Sequence, residues 1–149
     1  MPHRYDLRVY YEDTDLAGIV YYANYLRFIE RARSEWVRSL GIDQTALRDT
    51  DGIVFAVRRI EADYLKPARF DDTLSVLTEP VAASPARLIL RQTVLREATE
   101  LFAAFVTLVA LGADGRPARL PEGLRTRLAD LPPPAPAAGV GRSPRKSAE

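Results

Sequence analysis

The stretch from Tyr10 to Trp36, YYEDTDLAGIVYYANYLRFIERARSEW, concentrates the residues able to do chemistry. Three acids, Glu12, Asp13 and Asp15, precede Ala17-Gly18-Ile19-Val20 and then a strongly helical pattern. A carboxylate ahead of a helix start can cap the helix or close an Asx-turn. It can also act on something the helix end binds. The first N–H groups of a helix have no partner within it and carry about half a positive charge. They suit a carbonyl oxygen that becomes an oxyanion under attack. Asp15, seven residues before Tyr22, where the helix is expected to begin, is spaced to attack such a carbonyl or to activate a water. Gly18 lets the backbone turn closely, and Ile19 and Val20 offer apolar walls. The bland reading stands beside this for every residue. Glu12 and Asp13 read as turn charges paired with arginines, Glu30 and Glu35 as solvated or salt-bridged helix residues. Tyr21, Tyr22 and Tyr25 read as packing.

Elimination narrows the chemistry. The single histidine, His3, lies near an end expected to be mobile, and there is no cysteine. This argues against a Ser-His-Asp triad, a histidine or thiolate metal site, a disulfide and a histidine-dependent dehydratase. No Gly-x-x-x-x-Gly-Lys loop or Gly-x-Gly-x-x-Gly turn is present to cradle phosphate. The net charge of +1, from 21 Lys and Arg against 20 Asp and Glu, gives no basic field for nucleic acid. The run Leu101 to Leu111 is far short of the roughly 20 residues that span a bilayer. Met1 to Asp15 lacks the apolar stretch of a secretory signal. The expectation is a cytoplasmic protein with no metal or redox cofactor and no membrane span.

The elements that would position Asp15 follow from periodicity. Tyr5 to Tyr11 reads as a strand, with Tyr5, Leu7, Val9 and Tyr11 on one side. After a loop, Tyr25, Ile29, Ala32, Trp36 and Leu40 recur at helical spacing, flanked by Leu26, Arg33 and Val37. Gly41 stops the helix, and Glu30–Arg33 and Glu35–Arg38 sit at pair spacing. Ile53–Leu65, Thr73–Ala83, Ala86–Leu95 and Leu101–Leu111 read as strands, the last two joined by the hairpin REATE. Pro121 to Leu131 suits a short helix. At 149 residues the chain suits one domain, residues 1–130. Residues 131–149 form a Pro/Ala-rich tail, expected to be flexible, with five prolines and a charge of about +2. One long helix among consecutive antiparallel strands cannot make a doubly wound sheet. The fold class predicted is α+β, a five-stranded antiparallel sheet wrapped around the helix, with dimerisation through a sheet edge.

The Tyr10–Trp36 block resembles the signature of the 4-hydroxybenzoyl-CoA thioesterase family, a hotdog-fold group. It is most similar to the acyl-CoA thioesterase branch associated with the Tol-Pal envelope system. Asp15, Gly18, Ile19, Val20 and Tyr21 match Asp-x-x-Gly-Ile/Val-Val-aromatic, and Asn24-Tyr25 and FIERAR (Phe28 to Arg33) fit as well. DYLKPARFDD, Asp63 to Asp72, resembles the branch's second block. The resemblance covers about residues 5 to 125. It implies acyl-CoA hydrolysis without a cofactor, at sites formed in a homodimer or homotetramer. It places the catalytic carboxylate on Asp15 and the N–H that polarises the thioester carbonyl on Tyr22. Gly18, Val20 and Tyr21 would shape the acyl site, and Arg58, Arg59, Lys66 and Arg87 are candidates for the CoA phosphates.

That branch commonly has histidine where this chain has Tyr22, which bears on substrate preference more than on a backbone donor. The competing expectation is a hotdog domain that binds acyl-CoA or scaffolds an envelope or lipid-synthesis complex with little catalysis, with the tail as a possible partner contact.

Overall fold

The computed structural model describes residues 2–135, so the expectation for the tail beyond Ala135 lies outside the described residues. The elements run β1 (His3–Arg8), a 3-10 turn (Tyr11–Asp13), α1 (Asn24–Ser39), α2 (Gln44–Asp51), β2 (Val54–Tyr64), β3 (Thr73–Ala83), β4 (Arg87–Arg96), β5 (Thr99–Leu111), β6 (Pro117–Ala118) and α3 (Glu122–Arg127).

The sheet order is β1-β3-β4-β5-β2 and every neighbouring pair is antiparallel. β1 and β2 are therefore the two edges, although they are consecutive in sequence. The chain between them must cross the whole sheet, and α1 does so, laying its apolar stripe on one face. This is the layout expected of a hotdog. A two-residue β6, paired with Ala110 and Leu111, adds a sixth strand to the five expected.

The strands alternate because one face is buried and the other is not. From β3, β4 and β5, Leu74, Val76, Leu88, Leu90, Val94, Phe102 and Val106 face the helix. From α1, Tyr25, Phe28, Ile29, Ala32, Trp36 and Val37 meet them. Of the three buried polar residues among those described, Thr78 and Gln92 interrupt this core and are satisfied within it. The Gln92 amide donates to the Ile29 carbonyl (2.8 Å) and the Thr78 hydroxyl (2.9 Å), and its oxygen accepts from Arg33 (2.9 Å). Burial pushes the Arg33 guanidinium below its ordinary pKa, with the nearby Glu30 charge opposing.

Several local expectations are corrected. Arg33 bonds Gln92 rather than Glu30, whose carboxylate accepts from the Ser34 hydroxyl instead. Glu35–Arg38 does form. Leu26 faces solvent, and Phe28 takes its place in the core. The first strand stops at Arg8: Tyr11 is 82% exposed, because the chain turns at Tyr11–Asp13 and only Val9 of that end is buried. His3 is not in a loose end but opens β1, paired with Thr78. α2 is absent from the sequence expectations. Its ends carry ordinary signals, with the Asp43 side chain accepting from the N–H groups of Thr45 and Ala46, and Gly52 left-handed at φ 66°. It buries no residue, and only Ala46 and Leu47 within it are apolar.

Candidate active site

Asp15 opens a tight turn. Its N–H donates to the Ile19 carbonyl (2.9 Å), and its own carbonyl accepts from Gly18 (3.0 Å). Its carboxylate accepts from the Ala17 N–H (2.9 Å). Gly18 sits at φ 77°, and a Cβ there would meet nothing within 4 Å. The glycine is required by the left-handed backbone, not by crowding.

The turn is fastened on both sides. Thr14 bridges Val20 and Ile19 bridges Arg69, while the Val20 N–H reaches the Ala68 carbonyl (2.8 Å). Val20 itself lies in the core at 3% exposure. The Asp13 carbonyl takes both the Tyr21 N–H and the Asn24 side-chain amide, each at 2.9 Å. Asp13 closes the preceding turn by accepting from the Tyr10 N–H (2.8 Å) rather than by pairing with an arginine. The stretch from Tyr10 to Asn24 is thus held at a fixed angle to α1.

The helix start is open. Ala23 is the N-cap residue and provides no side-chain cap. Among the described residues no acceptor is found for the Tyr22 N–H. The Tyr22 carbonyl accepts from the Tyr64 hydroxyl (2.9 Å). Tyr21 and Tyr22 stand ring against ring at 4.8 Å. The Tyr21 phenol is raised above its ordinary pKa, chiefly by the Tyr22 hydroxyl beside it and less by the Asp15 charge. Asp15, Gly18, Tyr21 and Tyr22 thus share the turn that leads into α1, with an exposed carboxylate at its beginning. The Tyr22 N–H lies one residue ahead of the N-cap rather than on the helix itself, where the sequence had placed the helix start.

The basic candidates are more scattered. Lys66 follows β2 at this same end of the sheet. Arg59 pairs with Glu61 and lies opposite Thr107, while Tyr64 lies opposite Phe102. At about 3.3 Å per residue that is roughly 17 Å up the strand. Arg58 is the extra residue of a bulge between Val57 and Arg59. Arg87 lies opposite Val109, about 23 Å from the site end by the same rise. Arg69, bridged to Ile19, and Tyr64 are site neighbours that the sequence did not single out. Their signal was membership of the Asp63–Asp72 block.

Among the described residues, eight of the twelve large hydrophobic side chains left exposed lie in 10–22 and 64–70, and Val54 and Val57 on β2 add two more. Clustered apolar exposure of this kind is characteristic of interaction surfaces. At the Val54 end of β2, away from Tyr64, a cavity of about 210 Å³ opens between α1 and β2, lined by Glu30, Arg33, Ser34, Val37, Gln44, Phe55, Val57 and Leu108.

Residues 17–103 match the family described as the thioesterase superfamily. The chain belongs to the thioesterase superfamily. The acyl-CoA thioesterase YbgC of Haemophilus influenzae is 40% identical over 102 residues, 68% of this chain and 75% of its own length. An acyl-CoA thioester hydrolase YbgC of Escherichia coli is 41% identical over 92 residues, 62% of this chain and 68% of that one. These relatives are of the branch that the two sequence blocks resemble. Among solved structures, a probable thioesterase from Bartonella henselae has a TM-score of 0.78 at 35% identity, covering 81% of this chain and 100% of its own. The superfamily match begins two residues after Asp15 and does not include it. Among the described residues no helix is long and apolar enough to cross a membrane.

Proposed function

We propose that the protein hydrolyses the thioester of an acyl-CoA, releasing the free acid and CoA. The single observation that carries this site assignment is an exposed Asp15 carboxylate on a rigid turn leading into a helix start without a side-chain cap. The thioester oxygen takes the Tyr22 N–H, and Asp15 either attacks the carbonyl carbon or removes a proton from an attacking water. Collapse of the tetrahedral intermediate breaks the C–S bond, and CoA leaves as a thiolate that takes up a proton. If Asp15 attacks, the anhydride it forms is opened by water in a second step. Tyr22 serves through its backbone, so tyrosine in place of the branch's histidine leaves that donor in position. A binding-only role gains no support from relatives named for hydrolysis.

The functional unit is a homo-oligomer in this proposal. Antiparallel pairing of two copies of β2 about the strand's midpoint covers the exposed Val54, Val57 and Tyr64. It sets the Tyr64 end of one strand beside the Val54 end of the other. The groove of one copy then faces Asp15 of the next, Arg87 approaches the CoA site from the second copy and Lys66 from the first, while Arg58 and Arg59 lie by the two-fold axis, midway between the two sites.

The test is free CoA release from short, long and aromatic acyl-CoAs, with Asp15→Asn in parallel and the oligomeric state measured by sedimentation. Wild-type hydrolysis of at least one acyl-CoA is expected, with Asp15→Asn slower by about a hundred- to ten-thousand-fold. Wild-type speed in that variant removes Asp15 from the reaction. Labelled water in a single turnover separates the two routes, since only the anhydride route leaves solvent oxygen in Asp15.

A further inference from the structure

α1 lacks a side-chain cap, yet the carbonyl of Tyr22, one residue ahead of its N-cap, is held by a residue 42 positions away. Tyr64, the last residue of β2, donates its hydroxyl to the Tyr22 carbonyl at 2.9 Å. Its ring is fixed edge-on against Phe102 (5.1 Å), Tyr25 (5.6 Å) and Tyr22 (6.2 Å). Phe102 and Tyr25 are in turn stacked at 5.1 Å and 11°, and the Tyr25 hydroxyl accepts from the Ala68 N–H at 3.0 Å. Edge-to-face contacts of this kind are geometrically specific, so the Tyr64 hydroxyl has a defined position rather than a free rotor's spread.

We infer that Tyr64 is a positioning residue for the oxyanion donor, acting through the Tyr22 carbonyl. This rests on the proposed role of the Tyr22 N–H. Peptide units are rigid planes, and only the φ and ψ of Tyr22 separate its N–H from its carbonyl. Fixing the carbonyl direction therefore limits where the N–H can point. A Ser, Thr, Asp or Asn at the N-cap would fix the N–H groups of Tyr25 and Leu26, two and three residues on, and leave the Tyr22 N–H unguided. Tyr64 fixes the start from the acceptor side and leaves the donors free. The same bond polarises the peptide between Tyr22 and Ala23, strengthening the Ala23 N–H as a second donor to the developing charge.

The test combines kinetics with a spectroscopic probe. Tyr64→Phe keeps the ring and its three aromatic contacts and deletes the hydroxyl. Using the best acyl-CoA of the panel, kcat should fall about ten- to a hundred-fold, with KM and Tm near wild type. A non-hydrolysable ketone analogue, with the thioester sulfur replaced by methylene and the carbonyl isotope-labelled, reports the donors directly. Its stretch should lie lower when bound to wild type than in water, and should move back toward the water value in Tyr64→Phe. If that variant does not fold, 3-fluorotyrosine in place of Tyr64 alters donor acidity at nearly constant shape, and kcat should shift while Tm does not.

An unchanged kcat and stretch in Tyr64→Phe, or in the fluorinated protein an unchanged kcat, makes Tyr64 a packing residue only. Absence of any lowering in wild type overturns the donor assignment itself, and this inference with it. A lowered stretch in wild type that Tyr64→Phe retains overturns the inference alone.

Discussion

Two helices in this chain begin close after an aspartate, and the two aspartates do opposite things. At α2, Asp43 is the N-cap and its carboxylate accepts from the Thr45 and Ala46 N–H groups. At α1, the N-cap is Ala23, and the Asp15 carboxylate is turned into its own loop, onto Ala17. Capping is what an aspartate ordinarily does at a helix start. α2 follows that rule, and it buries none of its own residues. α1 needs no such help, because six of its residues are packed into the core and tertiary burial outweighs a missing cap. Stability elsewhere leaves the end of α1 available for a ligand.

That contrast can be broken or sharpened by experiment. The largest expected effect is on turnover: Asp15→Ala lowers kcat by about a hundred-fold or more at little cost in Tm, whereas Asp43→Ala leaves kcat unchanged. Equal kinetic effects from the two would erase the distinction. Next come the paired glycines. Gly18→Ala and Gly52→Ala each force alanine into a left-handed conformation, at about 1–2 kcal/mol, measurable by denaturant unfolding. Gly52→Ala should be the worse for stability, because its Cβ would also stand 3.1 Å from that of Ala113. Gly18→Ala alone should slow hydrolysis, since it reshapes the Asp15 turn. Asp43→Ala should cost about 1 kcal/mol of stability through the lost cap.

The smallest effect is a pH dependence of α1's first turn. Burial raises the pKa of the Tyr25 phenol, with the Ala68 N–H and Arg96 opposing. As the pH rises past the ordinary tyrosine value of about 10, the unfolded chain loses this proton first. Stability is whole below that pH and falls as the pH climbs toward the folded value. In Tyr25→Phe this part of the alkaline loss disappears from the unfolding profile, and the slope is unaltered if Tyr25 contributes nothing.

Much of this fold was legible because its strands are half-buried. The turn residues Asp71-Asp72 and Ser84-Pro85 gave β3 its observed ends, Thr73 and Ala83, and β-forming residues between turn signals placed β2, β4 and β5 within two residues of theirs. Tyr11 misled because its apolar ring continues the alternation while the backbone has already turned. Arg33 misled because helix spacing sees Glu30 but cannot see Gln92, 59 residues away on β4. The motif around Asp15 was readable as a local pattern. The Tyr64 clamp was not, since nothing local relates the end of β2 to the start of α1.

By itself the sequence determined the helix, the strand set, the turn glycine and the family, all of which depend on short-range periodicity or on residue types at fixed spacing. Tertiary structure alone decided that β1 and β2 become opposite edges, that α1 begins without a cap, and that a hydroxyl from β2 holds the Tyr22 carbonyl just ahead of it. These are pairings between distant segments. Their free energy depends on which surfaces can be buried together, and that is not expressed in any single stretch of the chain.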